Sequence, residues 1–166
     1  MPVTQRVSPC LWFDSQAEQA AAFYVSVFKN SRIVNVSRYT EAGREIHQRP
    51  AGSVMTVEFE LDGQQFTALN GGPVFKFSEA ISLQVHCENQ KEIDYYWTAL
   101  SKGGDPNAQQ CGWLKDQFGL SWQVVPIVLD ELLKDHRSEG AARAMEAMLG
   151  MKKIDIAEPE PAVAVS

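Results

Sequence analysis

Residues 81–86 alternate strictly between apolar and polar side chains, in the order Ile-Ser-Leu-Gln-Val-His. Such alternation predicts a β-strand with one face against a hydrophobic layer. Ser82, Gln84 and His86 then share the other face. Uncharged hydrogen-bonding groups are more typical of a wet, half-enclosed cavity than of a fully solvated surface, where charged side chains prevail. We therefore expect this second face to carry the function.

The hydrophobic pattern elsewhere predicts two units that each run strand, helix and three strands, which is an α+β organisation. The two predicted helices also match locally, since Phe-Tyr-Val-Ser-Val-Phe at 23–28 aligns with Tyr-Tyr-Trp-Thr-Ala-Leu at 95–100. The predicted elements of the first unit are strands at 7–13, 32–39, 53–61 and 64–70 and a helix at 16–29. Those of the second unit are strands at 80–87, 105–111, 113–117 and 120–125 and a helix at 90–102.

Short polar residues predict how these elements are joined. Asp-Gly at 62–63, between two alternating runs, predicts a tight hairpin because both residues tolerate positive φ. Asp14 or Ser15 is expected to cap the first helix, and Asp116 is expected to accept hydrogen bonds within the last hairpin turn. The polar loop at 41–52 is interpreted as a surface connection, with a mobile lid as the alternative.

The paired units, at about 5–74 and 79–126, are expected to form one domain that spans 1–126. Pro126 suits the first turn of a further helix, and the pattern predicts C-terminal helices within 127–152. The last residues, 153–166, are rich in Pro, Ala and Glu, which predicts a flexible tail.

Composition and charge exclude several classes of function. The 166-residue chain has a net charge of −6 and no cluster of Lys and Arg, so it lacks the basic face that nucleic acid requires. No apolar run approaches the roughly 20 residues of a membrane span. Cys10, Cys87 and Cys111 are widely spaced and form no CxxC pair, which is expected of reduced thiols in a cytoplasmic protein.

Two motifs resemble those of a known family. One is Trp-Phe-Asp-Ser at 12–15, which leads into Ala-Ala-Phe-Tyr-Val-Ser-Val-Phe at 21–28. The other is Asp-Gln-Phe-Gly-Leu-Ser-Trp-Gln at 116–123, which resembles the closing Asp-Pro-x-Gly-x-x-x-Glu hairpin of the vicinal oxygen chelate superfamily. Within it, the chain is most similar to the PhnB-like branch, often labelled "3-demethylubiquinone-9 3-methyltransferase". The resemblance implies two βαβββ modules that form a curled mixed sheet around a cavity, with the helices outside, and a homodimer.

The resemblance also implies metal ligands, usually His and Glu, on inward-facing residues of four strands. None of the residues at those positions here is His, Glu, Asp or Cys, and a neutral amide is a poor ligand for zinc, nickel or iron. We therefore predict a metal-free site without a cofactor. The residues that fall on the four positions are Pro9 or Leu11, Ala68 or Asn70, Ser82 or Gln84, and Gln123.

Two residues are candidates for acid–base catalysis. His86 could act as a general base, since imidazole titrates near neutrality, or it could be a strand-end residue near the surface. Glu58 could act as a base if its strand face lines the cavity, and is an ordinary surface residue if that face is solvated. The residues predicted to bind a ligand are Asn70, Ser82, Gln84, His86 and Gln123.

Three functions follow. We expect a protein that binds a small organic molecule in a metal-free cavity, with metal-independent catalysis left open. A metal-dependent lyase or dioxygenase is the alternative, and it requires at least three of His47, Glu58, His86 and another acid to converge. A methyltransferase is disfavoured, because no strand is followed by a Gly-rich loop that opens a helix to hold the cofactor.

Overall fold

The structure of the protein is a computed structural model, in which residues 5–156 are described. These residues form two small mixed β-sheets with helices packed against them, which confirms the predicted α+β class. The chain divides into two units between Phe77 and Ser78. Neither sheet is closed, since one has four strands in open order and the other has three. None of the helices described between residues 5 and 156 has the length and apolar character needed to cross a membrane.

The first unit has the predicted order of strand, helix and three strands, with one helical turn added in the loop that follows the second strand. Its sheet has the order β1-β4-β3-β2, in which β1 and β4 are parallel and the other pairs are antiparallel. The bounds are β1 Cys10–Phe13, α1 Ala17–Val27, β2 Arg32–Arg38, α2 Arg44–His47, β3 Val54–Leu61 and β4 Gln64–Asn70.

Alternation along β3 and β4 gives the first sheet one covered face and one open face. Val57 and Phe59 are buried under α1, where the Tyr24 ring stacks on Phe59 with centroids 6.3 Å apart. Phe66 and Ala68 on β4 are buried on the same face. The predicted hairpin at 62–63 joins these strands, with both of its residues at positive φ.

Contacts of His47 and Arg49 hold the loop predicted at 41–52 in place. The His47 ring lies on the Tyr39 ring with centroids 4.7 Å apart, and its Nδ1 accepts from the Arg49 amide at 2.9 Å. The Arg49 guanidinium in turn donates to the Asp14 carbonyl at 2.9 Å. These contacts order the loop within the first unit, and the lid stays a prediction.

The second unit has three strands in the order β5-β7-β6, with β5 parallel to β7. The strand predicted at 105–111 is wrong. Pro106–Ala108 form a short 3-10 helix, because the Asp105 side chain accepts from the Asn107 amide at 2.9 Å and Pro106 suits the first helical position. The second module is therefore βαββ. The other bounds are β5 Leu83–Cys87, α3 Gln90–Ser101, β6 Trp113–Lys115, β7 Ser121–Pro126, α4 Ile127–Leu132 and α5 Glu139–Leu149.

A buried carboxylate holds the β6–β7 hairpin together, as predicted for Asp116. One of its oxygens, Oδ1, accepts from the amides of Phe118 at 2.8 Å and Leu120 at 3.1 Å. The other, Oδ2, accepts from the Trp122 indole N–H at 2.9 Å. Asp116 is only 2% exposed, so these donors replace the water that an ionised carboxylate would otherwise need.

The segment after α5 packs on the second unit, which corrects the predicted start of the tail at residue 153. Ile154 is fully buried, and its carbonyl accepts from the Gln90 side chain at 3.1 Å. Met151 accepts from the Cys111 amide at 2.8 Å, and Lys153 forms an ion pair with Asp94 at 2.7 Å. The rest of the predicted tail, 157–166, lies outside the described residues.

Candidate functional site

The open face of the second sheet, opposite α3, carries a row of three side chains. Strand register places Gln84 beside Gln123 and Gln123 beside Trp113. The helix-facing residues Val85 and Trp122 are buried, so alternation turns the row away from the core. We call this surface the amide face and define it by Ser82, Gln84, His86, Trp113, Lys115 and Gln123.

Gln123 is oriented by a hydrogen bond on the amide face. Its side-chain N–H group donates to the Ser82 hydroxyl oxygen at 2.9 Å. Ser82 directly precedes β5 and is half-buried. Because Ser82 accepts in this bond, its own hydroxyl hydrogen can point to a third group, and the amide oxygen of Gln123 can accept from one. The pair can therefore offer one donor and one acceptor to a ligand.

His86 lies at the edge of the amide face, two residues along β5 from Gln84. Its side chain is 52% exposed, and its Nδ1 lies 3.9 Å from Oδ2 of Asp130 on α4. That separation is too long for a hydrogen bond. An imidazole in this position can exchange a proton with a molecule on the face.

Two residues of the amide face, Trp113 and Lys115, were not among the residues predicted to bind a ligand. Both flank the buried Leu114 on β6, so alternation within the Trp-Leu-Lys triplet was the available signal. The Lys115 ammonium forms an ion pair with the Glu79 carboxylate. The face is therefore neutral at its centre and has a cation on its β6 edge.

Asn70, predicted to bind ligand, is instead a structural residue on the covered face of the first sheet, where it is 7% exposed. Its Oδ1 accepts from the Ala17 amide at 2.8 Å, and its Nδ2 donates to the Val54 carbonyl at 3.2 Å. Asn70 therefore accepts from a free backbone N–H group at the start of α1, the role that was predicted for Asp14 or Ser15. The predicted helix cap is wrong.

Glu58 lies on the open face of the first sheet, in register with Asn35 on β2 and Thr67 on β4. It is exposed, and α1 lies on the opposite face. The two predicted catalytic candidates, Glu58 and His86, thus belong to different units.

The donor set of the described residues is poor in metal ligands. Between residues 5 and 156, no group of three or more His, Cys, Asp or Glu side chains is arranged to hold a metal ion. Leu11 is buried on the covered face of the first sheet, so the position predicted on β1 is not an open one. Burial, reinforced by the Glu92 carboxylate, raises the pKa of Cys87 to about 12, which keeps this thiol protonated and a weak ligand or nucleophile.

Comparison with solved structures identifies the class of protein. The PhnB protein from Bacillus cereus is 36% identical, with a TM-score of 0.62, and the match covers 74% of this chain and 99% of that chain. PA1353 from Pseudomonas aeruginosa is 17% identical, with a TM-score of 0.56 over 74% of this chain and 98% of that chain. The fosfomycin resistance protein FosX from Listeria monocytogenes, solved with Mn(II) and sulfate, is 14% identical, with a TM-score of 0.54 over 82% of this chain and 100% of that chain.

The last two matches show the fold alone, and together with the first they place the chain in the vicinal oxygen chelate superfamily. The family model described as 3-demethylubiquinone-9 3-methyltransferase matches residues 5–125. The chain belongs to this family, the PhnB-like branch of the superfamily, as the sequence predicted. A comparison with curated proteins gives no significant match. The methyltransferase in the description is a family name and assigns no reaction to this chain.

Proposed function

We propose that this protein binds a small organic molecule on the amide face without a metal ion. The observation that carries the proposal is the bonded pair of Gln123 and Ser82, which lies between Gln84 and the half-exposed Trp113. Amide and hydroxyl groups fix the orientation of a neutral or weakly charged ligand, and an indole supplies flat apolar area. Ligand sites combine these two elements.

The donor chemistry favours this function over its alternatives. A metal-dependent lyase or dioxygenase needs three anionic or imidazole ligands, whereas the open face of β5 and β7 offers a single imidazole, His86, beside the amides of Gln84 and Gln123. A methyltransferase needs a cradle for its cofactor, which the sequence does not indicate. His86 is the group on the amide face that would support metal-independent acid–base chemistry.

Replacing Gln123 by leucine should weaken binding to the amide face about threefold to tenfold, because one oriented hydrogen-bonding group is lost at nearly constant volume. The experiment is a two-dimensional NMR titration of chelator-treated protein with a set of small aromatic amides and acids, following the indole of Trp113 and the side-chain amide of Gln84.

Gln117→Leu is the matched control, since Gln117 is exposed in the hairpin turn and its Cβ lies close to Gly103, which follows α3. It should leave the affinities unchanged. If no compound perturbs the Trp113 and Gln84 resonances, or if the two variants weaken binding equally, the proposal fails.

We further propose that the protein is a cytoplasmic homodimer, as the family resemblance implies. Supporting this, the edge strand β2 exposes Ile33 and Val34, each about two-fifths accessible, as apolar surface that a second copy could cover. Size-exclusion chromatography at micromolar concentration should give the mass of a dimer, and a plain monomer would contradict it.

A further inference from the structure

The residues just before β5 occupy both polar ends of the amide face. Glu79 contributes its carboxylate to the Lys115 ammonium, and Ser82 contributes its hydroxyl to the Gln123 amide. The segment 78–82 thus presents a carboxylate and a hydroxyl, three residues apart, to two different strands of one sheet face.

This segment is weakly held. It forms no regular secondary structure, and Glu79, Ala80 and Ile81 are all exposed. Its described main-chain hydrogen bonds are local and long, from the Ala80 amide to the Ser78 hydroxyl at 3.4 Å and from the Ile81 amide to the Ser78 carbonyl at 3.5 Å. Moving residues 79–81 away from the face would therefore break few packing contacts.

Lys115, in contrast, is well anchored. Its strand register pairs it with the buried Ser121, and its side chain is only 28% exposed, against 65% for Glu79. The Lys115 hydrogen bond lowers the pKa of Glu79, which favours the carboxylate form of Glu79 at neutral pH. An exposed ion pair of this kind contributes little to stability, and another anion can replace Glu79.

From this arrangement we infer that the ligand is a small organic acid that also carries a hydroxyl or carbonyl oxygen. Its carboxylate takes the place of Glu79 on Lys115, and its second oxygen hydrogen-bonds to the pair of Gln123 and Ser82. Trp113 neighbours both contacts, because it is two residues from Lys115 along β6 and opposite Gln123 on β7. Its indole therefore faces the flat body of such a ligand. The inference rests on the proposed function and specifies its ligand class.

The test compares 3-hydroxybenzoate with its neutral twin, 3-hydroxybenzamide, by NMR titration at low salt. Wild-type protein should prefer the acid. Glu79→Gln should strengthen acid binding about threefold to tenfold, because the internal competitor is removed, and should leave amide binding unchanged. Lys115→Met should abolish the preference for the acid, and added salt should reduce that preference in the wild type.

Two variants match the changes in charge. Glu88→Gln removes an exposed carboxylate beyond the other end of β5, and Lys102→Met removes an exposed ammonium after α3. Neither should change the ratio of acid to amide affinity. If acid and amide perturb the amide face with equal affinity in all variants, the ligand class is wrong while the proposed function stands. If neither compound perturbs the face in any variant, both fail.

Discussion

Replacing Asp116 by alanine should lower the free energy of unfolding of the second unit by about 3–5 kcal/mol. The carboxylate accepts from the amides of Phe118 and Leu120 and from the indole of Trp122, and its removal leaves these donors without that partner in a buried hairpin. Each buried donor left unsatisfied costs about 1–3 kcal/mol. Urea denaturation followed by Trp fluorescence measures the loss directly.

Asp105→Ala is the matched control, because Asp105 is exposed and its side chain accepts only the Asn107 amide among the described hydrogen bonds. It should cost about 0.5–1 kcal/mol. Asp116→Asn should fall between the two, since an amide can still accept from the backbone but sets its own N–H group against the Trp122 indole. Equal losses for Asp116→Ala and Asp105→Ala would show that the carboxylate does not hold the hairpin.

Gly104→Ala should destabilise the second unit by about 2–3 kcal/mol. A Cβ at this position overlaps the backbone carbonyl of Lys115, which belongs to β6 and cannot rotate away as a side chain could. Overpacking against fixed backbone forces a shift that typically costs about 1–3 kcal/mol. Because Lys115 lies on the amide face, the same shift should also alter ligand affinity.

Gly150→Ala provides the comparison, since its Cβ would meet only the Ala147 carbonyl oxygen at 3.7 Å and its φ of −87° suits any residue. We expect a change within about 0.5 kcal/mol. Thermal unfolding of both variants beside the wild type separates steric overlap from a general effect of losing glycine. A Gly104→Ala protein as stable as the wild type would contradict the close approach of these two segments.

Alternation along the chain was sufficient to predict most of the strands and the central pair of the site. Gln84 and Gln123 fall on one face because each lies between apolar neighbours on a strand with a period of two. The same rule would have found Trp113 and Lys115, but a strand of three residues gives too short a pattern to establish which side is buried.

Asn70 shows where polarity misled the prediction. It lies an even number of residues after Phe66 and Ala68 on β4, so it points to the covered face with them. The prediction placed Asn70 on the open face because its side chain is polar. Its partner, the Ala17 amide, lies 53 residues away, so no local motif announces this cap. The burial of Ile154 near the other end of the chain also depends on contacts with distant segments. The two lysines that precede it gave no indication in the sequence that this residue would be buried.

The metal content of the protein tests the central claim most directly. Untagged protein is incubated with zinc, nickel, manganese and iron(II), freed of excess ions and analysed by plasma mass spectrometry. A metal-free ligand site predicts far less than one ion per chain for every metal, because the open face of β5 and β7 offers one imidazole and otherwise neutral amides, which is short of a ligand set. One tightly held ion per chain, lost on replacing His86 or Glu58, would contradict the account and restore the metal-dependent alternative.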